Sequence, residues 1–412
     1  MVSCPGDWEE VKLSDIGYTY SGLTGKTKAD FETGNGKFIT FLNVLNNIKI
    51  DIKILGRVSI RENERQNAVN VGDLFFNTSS ETPEEVGMCA VLLDNPGICY
   101  LNSFCFGYRL KRTDISPLFL SYYFNSGVGR EFMRIHAQGS TRYNLSKQSF
   151  LKQSIHIPTF KEQTAIADTL AAFDTHITNL TELITKKKAI RDGALDELMT
   201  GRTRFYSFCG DWEIVLLGSK CEITSSKRVF ESEWEKSGIR FLRTRDIANF
   251  HAGSEQKDKL FISEETYRKK ISVSGEVKKG DLLVTGVGTI GLPFIVETDE
   301  KLYFKDGNII WVKQSKDINP KFLYYLFLSK NIQAQIANVC DFTTVGTFTI
   351  KNAKRITISL PPLDEQKAIA DTLSALDKEI SSLETERAKI SSIRDGAMND
   401  LLTGKVRLKI GI

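Results

Sequence analysis

The chain predicts an α+β protein: two mixed α/β lobes separated by two long antiparallel coiled-coil helices, arranged as a pseudo-twofold internal repeat. Three observations carry that expectation. The stretch from Pro158 to Arg204 is written again 203 positions later, without a gap, as Pro361 to Arg407. Glu162-Gln163 falls on Glu365-Gln366, Arg191-Asp192-Gly193-Ala194 on Arg394-Asp395-Gly396-Ala397, and Thr200-Gly201 on Thr403-Gly404. Agreement of this extent is an internal duplication. Within each copy, apolar residues recur in alternating steps of four and three, at Ile166, Leu170, Phe173, Ile177, Leu180 and Ile184 and again at Ile369, Leu373, Leu376, Ile380 and Leu383. That spacing is the a/d stripe of a coiled-coil seam. Landmarks also recur outside the helices: Gly6-Asp7-Trp8-Glu9 as Gly210-Asp211-Trp212-Glu213, Gly72-Asp73-Leu74 as Gly280-Asp281-Leu282, and Pro117 to Tyr123 as Pro320 to Leu326.

In the first lobe, Lys37 to Leu42, Asp73 to Phe76 and Met88 to Leu93 are apolar or alternating runs bounded by turn residues, and they predict strands. Leu282 to Thr285, Pro293 to Glu297 and Asn308 to Val312 do the same in the second. Phe119 to Phe124 and Phe322 to Leu328 predict helices entered just after Pro117 and Pro320. Thr159, with Glu162 three residues on, has capping-box spacing for the first long helix. Pro362 stands where the second copy would need that hydroxyl, so the second helix must start differently. Thr-Gly supplies both stops, because glycine adopts the left-handed conformation cheaply. Each apolar stripe has two readings, packing on its own lobe or pairing with its twin. Two like seams, each closing one half of a duplicated chain, favour pairing. The expected boundaries are residues 1–156 and 206–359 for the lobes, and 157–205 and 360–412 for the helical regions.

Composition narrows the class. With 412 residues, 41% hydrophobic and 26% charged, the chain describes an ordinary globular protein of two or three domains. No run of 18 apolar residues occurs, and the opening residues lack the pattern of a signal peptide. Seven cysteines without a C-x-x-C pair argue for free thiols in a reducing cytoplasm. The four histidines have no metal-ligand spacing. A net charge of +4 permits nucleic-acid binding. A protein holding a duplex alone would be more basic, so its cations are concentrated on one face or a partner supplies phosphate contacts.

Two glycine motifs point elsewhere and fail on context. Gly286-Val287-Gly288-Thr289-Ile290-Gly291 fits G-x-G-x-x-G. A dinucleotide site needs a helix next to hold the pyrophosphate, and Leu292 to Val296 predicts a strand, so a tight glycine turn is the better reading. Gly25-Lys26-Thr27 lacks the first glycine of a phosphate loop, its place falling on Tyr20. Neither half carries a methyltransferase Asn/Asp-Pro-Pro-Tyr/Phe motif, a nuclease cluster or a Ser/His/Asp set. The expectation is a non-catalytic chain that binds no cofactor or metal. Gly193 and Gly396 lie inside predicted helices, where glycine costs about 1 kcal/mol relative to alanine. Close helix crossing, a partner contact or simple tolerance near the helix end would each explain them.

Candidate DNA-facing residues lie in polar loops: Ser140, Thr141, Arg142 and Tyr143 in the first lobe, and Thr344 and Thr347 in the corresponding second-lobe stretch. Arg243 and Arg245 have side chains suited to bidentate contact with guanine, and Asn43 and Asn46 offer amides suited to adenine. For any one of them a solvated surface role is the plainer reading.

Taken together, Glu162 to Leu170 (EQTAIADTL), Glu365 to Leu373 (EQKAIADTL), the two Ile-Arg-Asp-Gly-Ala segments and the Leu-x-Thr-Gly-[Arg/Lys] stops resemble the specificity (S) subunit of a type I restriction–modification system. The likeness covers nearly the whole chain, and the helical regions carry it. It implies that each lobe is a target-recognition domain reading one half of a split double-stranded DNA site, with the paired helices setting the spacing. It also implies that two copies of a DNA methyltransferase subunit dock on the helices and that restriction subunits join. S-adenosylmethionine, Mg²⁺ and ATP would belong to those partners. Glu162, Asp168, Arg191, Glu365, Asp371 and Arg394 are the residues expected to meet the methyltransferase. A helix of about 40 residues spans roughly 60 Å, and half-sites read from one face of a duplex lie about one turn, roughly 10 bp, apart. Because the lobes differ, the expected site is asymmetric. The rival from another class is a structural scaffold whose lobes bind proteins.

Overall fold

In the computed structural model the described residues are 6–139, 141–254, 258–339 and 346–408, with the side chain of Glu32 left aside. They form two compact units, Met1–Thr181 with Thr385–Ile412, and Glu182–Glu384. Both long helices are present, Phe160–Met199 and Leu363–Leu402, 40 residues each. Each helix gives its first half to one unit and its second half to the other.

In unit 1 the opening strand Glu9–Lys12 pairs antiparallel with Ser154–Ile157, tying the start of the lobe to its end. The main sheet runs Gly17–Ser21, Cys105–Leu110, Leu74–Asn77, Cys89–Val91, all antiparallel. A second sheet sets Phe31–Ile39 antiparallel to Gly56–Val58 and parallel to Cys99–Leu101. The Pro117–Asn125 helix, capped by Ser116, buries Phe119, Leu120, Tyr122 and Phe124. They share one core with Ile166, Ala167 and Leu170 of the first long helix and with Met398, Leu401 and Leu402 of the second.

Unit 2 repeats the plan. Glu213–Leu216 pairs with Thr357–Leu360, and the main sheet runs Ile223–Thr224, Ile309–Val312, Leu282–Thr285, Pro293–Ile295 in the same order. Ile239–Leu242 lies parallel to Leu302–Phe304, and the strands Leu260–Ile262 and Trp234–Glu235 extend that sheet. The Pro320–Leu328 helix, Ile369, Ala370 and Leu373 of the second long helix, and Leu195, Leu198 and Met199 of the first meet in one core. Both readings of the apolar stripe therefore hold. Each helix packs on its own lobe at its start and on the other lobe at its end.

The helices pair antiparallel inside each unit. In unit 2 Lys187 meets Glu379 at 2.7 Å while Arg191, further on, meets the earlier Asp377 at 3.6 Å. In unit 1 Asp174 meets Arg394 at 3.0 Å and His176 the earlier Glu386 at 3.7 Å. Glycines after the helix ends take the expected left-handed form, φ 67° at Gly201 and 69° at Gly404.

Two local expectations need correcting. The strand expected over Lys37 to Leu42 stops at Ile39, and Phe41–Asn46 is a short helix. Thr40 Oγ1 accepts the Asn43 N–H at 3.3 Å, and this cap overrides the apolar run. Thr159 does cap its helix, Oγ1 accepting from Glu162 N at 3.4 Å. The Glu162 carboxylate binds Arg407 instead of closing a capping box.

Candidate nucleic-acid interface and helix surfaces

The two parallel strands of the first lobe end side by side, Ile39 against Leu101. The next residue, Asn102, donates its N–H and its Nδ2 to Ile39 O, both at 3.1 Å. Thr78 N donates to Phe104 O at 2.9 Å, and Leu145 N donates to Thr78 O at 2.8 Å. Ser79 and Ser80 pair with Asn144 and Tyr143, and Lys147 Nζ reaches Ser21 Oγ at 2.6 Å. Loops distant in sequence thus converge on one end of the lobe, which presents hydroxyls, amides, Arg142 and an exposed Phe104.

The second lobe has the same frame with other residues. Leu242 ends against Phe304, and Lys305 N donates to Leu242 O at 2.9 Å. Gly286 N donates to Asn308 O at 2.7 Å and Phe348 N to Gly286 O at 2.8 Å, so Gly286 occupies the place of Thr78. The G-x-G-x-x-G segment is this lobe's counterpart of the Thr78 loop. It folds over buried Thr285, whose Oγ1 accepts from Leu292 N at 2.9 Å. Asp306, two residues before Asn308, lies 3.7 Å from Arg228, and in the helix after Leu242 exposed Arg245 lies 3.7 Å from Asp258.

The sequence-predicted DNA residues divide. Thr141 and Arg142 are exposed and Tyr143 half-buried at the convergent end. Thr347 is half-buried beside Phe348. Ser140 and Thr344 lie outside the described residues. Asn46 is exposed in the last turn of its short helix. Asn43 requires correction: it is fully buried, and its amide donates to Asp51 O and accepts from Asp51 N. Arg243 is likewise occupied, its guanidinium binding buried Asp246 and Asp258 O, which leaves Arg245 as the open arginine of that pair.

The helix motifs resolve into two repeated constellations. In the first, an arginine from one long helix grips an aspartate of the other, which also accepts from a lobe tyrosine. In unit 1, Arg394 Nε is 3.0 Å from Asp174 Oδ1 and Tyr122 OH 2.6 Å from Oδ2. In unit 2, Arg191 is 3.6 Å from Asp377 and Tyr325 OH 2.7 Å. Burial, and then the neighbouring aspartate, raise both phenols' pKa, so they remain donors. In the second constellation, an arginine beyond each Thr-Gly stop returns to the glutamate that opens the other helix. Arg407 Nη2 donates to Glu162 Oε2 at 2.6 Å, and its Nη1 to Asp7 at 3.0 Å. Arg204 Nη2 donates to Glu365 Oε2 at 2.7 Å. The adjacent glutamines fasten the lobes: Gln163 Oε1 accepts from Ser116 N and Gln366 Oε1 from Asn319 N.

This corrects the partner-binding expectation at Glu162 and Glu365, which are buried and bound within the chain. Arg191 and Arg394 are largely engaged inside it as well. Asp168 and Asp371 are exposed. So are Ile190 (56%) and Ile393 (44%), again 203 positions apart. A Cβ on Gly193 or Gly396 would meet nothing within 4 Å, so close crossing within the chain does not explain those glycines. Tyr122, Asp174 and Arg204 were missed, although Tyr325, Asp377 and Arg407 sit at the repeat offset. Phe104 has no such counterpart.

No helix among the described residues is long and apolar enough to cross a membrane. A family model described as the type I restriction modification DNA specificity domain matches residues 5–190 and again 210–392. The type I restriction enzyme MjaVIII specificity subunit of Methanocaldococcus jannaschii is 25% identical, over 98% of this chain and 94% of its own. The type I restriction enzyme EcoKI specificity subunit of Escherichia coli is 24% identical, over 90% and 82%. Among solved structures, the S subunit of a type I restriction–modification system from M. genitalium superposes with a TM-score of 0.56 at 16% identity, covering 98% of this chain and 97% of that one.

Proposed function

Since the chain belongs to the family of type I restriction–modification DNA specificity domains, with two copies of that domain, we propose that it is the sequence-reading subunit of such a complex and carries no catalysis of its own. Each lobe reads one half of an asymmetric, bipartite duplex site with its convergent loop end. The observation that carries this is the repeat's uneven divergence. The Tyr–Asp–Arg and Glu–Arg constellations recur residue for residue, while the loop ends share only a hydrogen-bond frame.

The long helices act as spacer and as docking surface. Support for docking comes from duplication: unit 1 exposes Asp168, Ile393 and Gly396, and unit 2 exposes Asp371, Ile190 and Gly193. Two like surfaces suit two copies of one methyltransferase subunit, and open glycines let a partner helix approach closely. Restriction subunits then join that assembly.

Selection from random duplexes by the chain assembled with methyltransferase tests the reading. A sequence in two fixed parts with an indifferent gap is expected. Enrichment of no sequence would leave a protein-binding scaffold in its place.

A further inference from the structure

We propose that Phe104 is a specificity-determining residue of the first lobe, its ring resting on the 5-methyl group of a thymine in the half-site that lobe reads. This rests on the reading of the loop ends as DNA-facing. Phe104 is 59% exposed, yet its backbone is fixed on both sides. Phe104 N donates to Asn102 Oδ1 at 2.9 Å, and its carbonyl accepts from Thr78 N at 2.9 Å and Thr78 Oγ1 at 2.8 Å. Asn102 is itself anchored to Ile39 O.

A large apolar side chain left mostly in water on a fixed mount gains little for folding. It is pre-organised for a partner, with little further backbone entropy to lose on binding. The setting indicates the partner's chemistry. At the same end of the lobe Ser80 pairs with Tyr143, both bearing hydroxyls, and Arg142 adds an exposed cation. Hydroxyls and a guanidinium serve phosphates and base edges. The apolar group that the floor of a major groove offers is the thymine methyl. At the corresponding place, where Gly286 N meets Asn308 O, the second lobe carries Asn308, preceded by Lys305, Asp306 and Gly307, and no aromatic ring, so the proposed contact belongs to one half-site.

The test uses the full chain assembled with methyltransferase, bound to its selected duplex and to duplexes with uracil replacing thymine one position at a time. Phe104→Ala should weaken binding about tenfold, as expected for one base contact. Uracil at one position should weaken the wild type by a similar factor and leave Phe104→Ala unaffected. Ile98→Ala is the control: Ile98 is 77% exposed but precedes the other end of the Cys99–Leu101 strand, and its loss should change nothing. If the wild-type complex selects no sequence, the DNA-reading proposal itself falls. If it selects one that Phe104→Ala binds equally well, or uracil weakens both proteins alike, only the assignment of Phe104 is overturned.

Discussion

In unit 1, Arg407 reaches two carboxylates, Glu162 and Asp7. In unit 2, Arg204 reaches one carboxylate among the described residues, Glu365, besides the Gly210 carbonyl, and the Trp212 indole donates to the same carboxylate at 3.2 Å. Trp8, the counterpart of Trp212, has its Nε1 buried without an acceptor among the described residues. These are small changes on a shared scheme. At the loop ends the difference is of another kind: hydroxyls and a phenylalanine in one lobe, a glycine turn and cations in the other, hung on matching backbone bonds. The helices conserve contacts because each must close both lobes. The loops conserve only the backbone that mounts them, so their side chains are free to diverge.

Replacing the matched core leucines breaks the comparison most severely. Leu170→Ala and Leu373→Ala each empty a fully buried site and should cost about 2–5 kcal/mol. Denaturant melts should give similar losses, since both sit at the same step of the repeat. Tyr122→Phe and Tyr325→Phe each remove a hydrogen bond to a charged aspartate, for about 1.5 kcal/mol. A large loss in one and none in the other would mean that the two constellations are not equivalent.

Gly193→Ala and Gly396→Ala should act in the opposite direction. With nothing within 4 Å of the added carbon, each should stabilise by about 0.5–1 kcal/mol. Arginine at either position should leave the fold intact and weaken methyltransferase binding in calorimetry. The smallest effect separates the lobes by pH. The hydrogen bond from Lys26 holds Glu64 down from 4.5 to about 2. Its contribution is complete above about 4.5 and lost as pH falls through about 2. Amide exchange at the Thr24 and Arg61 loops should rise over that window, and Lys26→Met should flatten the rise.

The repeat made the architecture legible. A 203-residue offset and a four-three stripe are enough to place two helices and predict that they pair. The same offset held the Tyr–Asp–Arg set, which went unread because its members lie in three separate segments. Arg191 and Arg394 read as partner contacts, since a sequence does not reveal that Asp377 and Asp174 already lie against them. Asn43 misled for a related reason. An amide in a polar stretch reads as surface until the Thr40 cap turns it inward. Phe104 left no trace, because exposure is decided by the loops around it.

The most direct measurement is the methylated sequence of a chimaera in which residues 1–156 are replaced by the matching lobe of another family member. One half of the modified sequence should change while the other half and the gap between them stay fixed. A change in both halves, or an unchanged sequence, would contradict the reading of one half-site by each lobe.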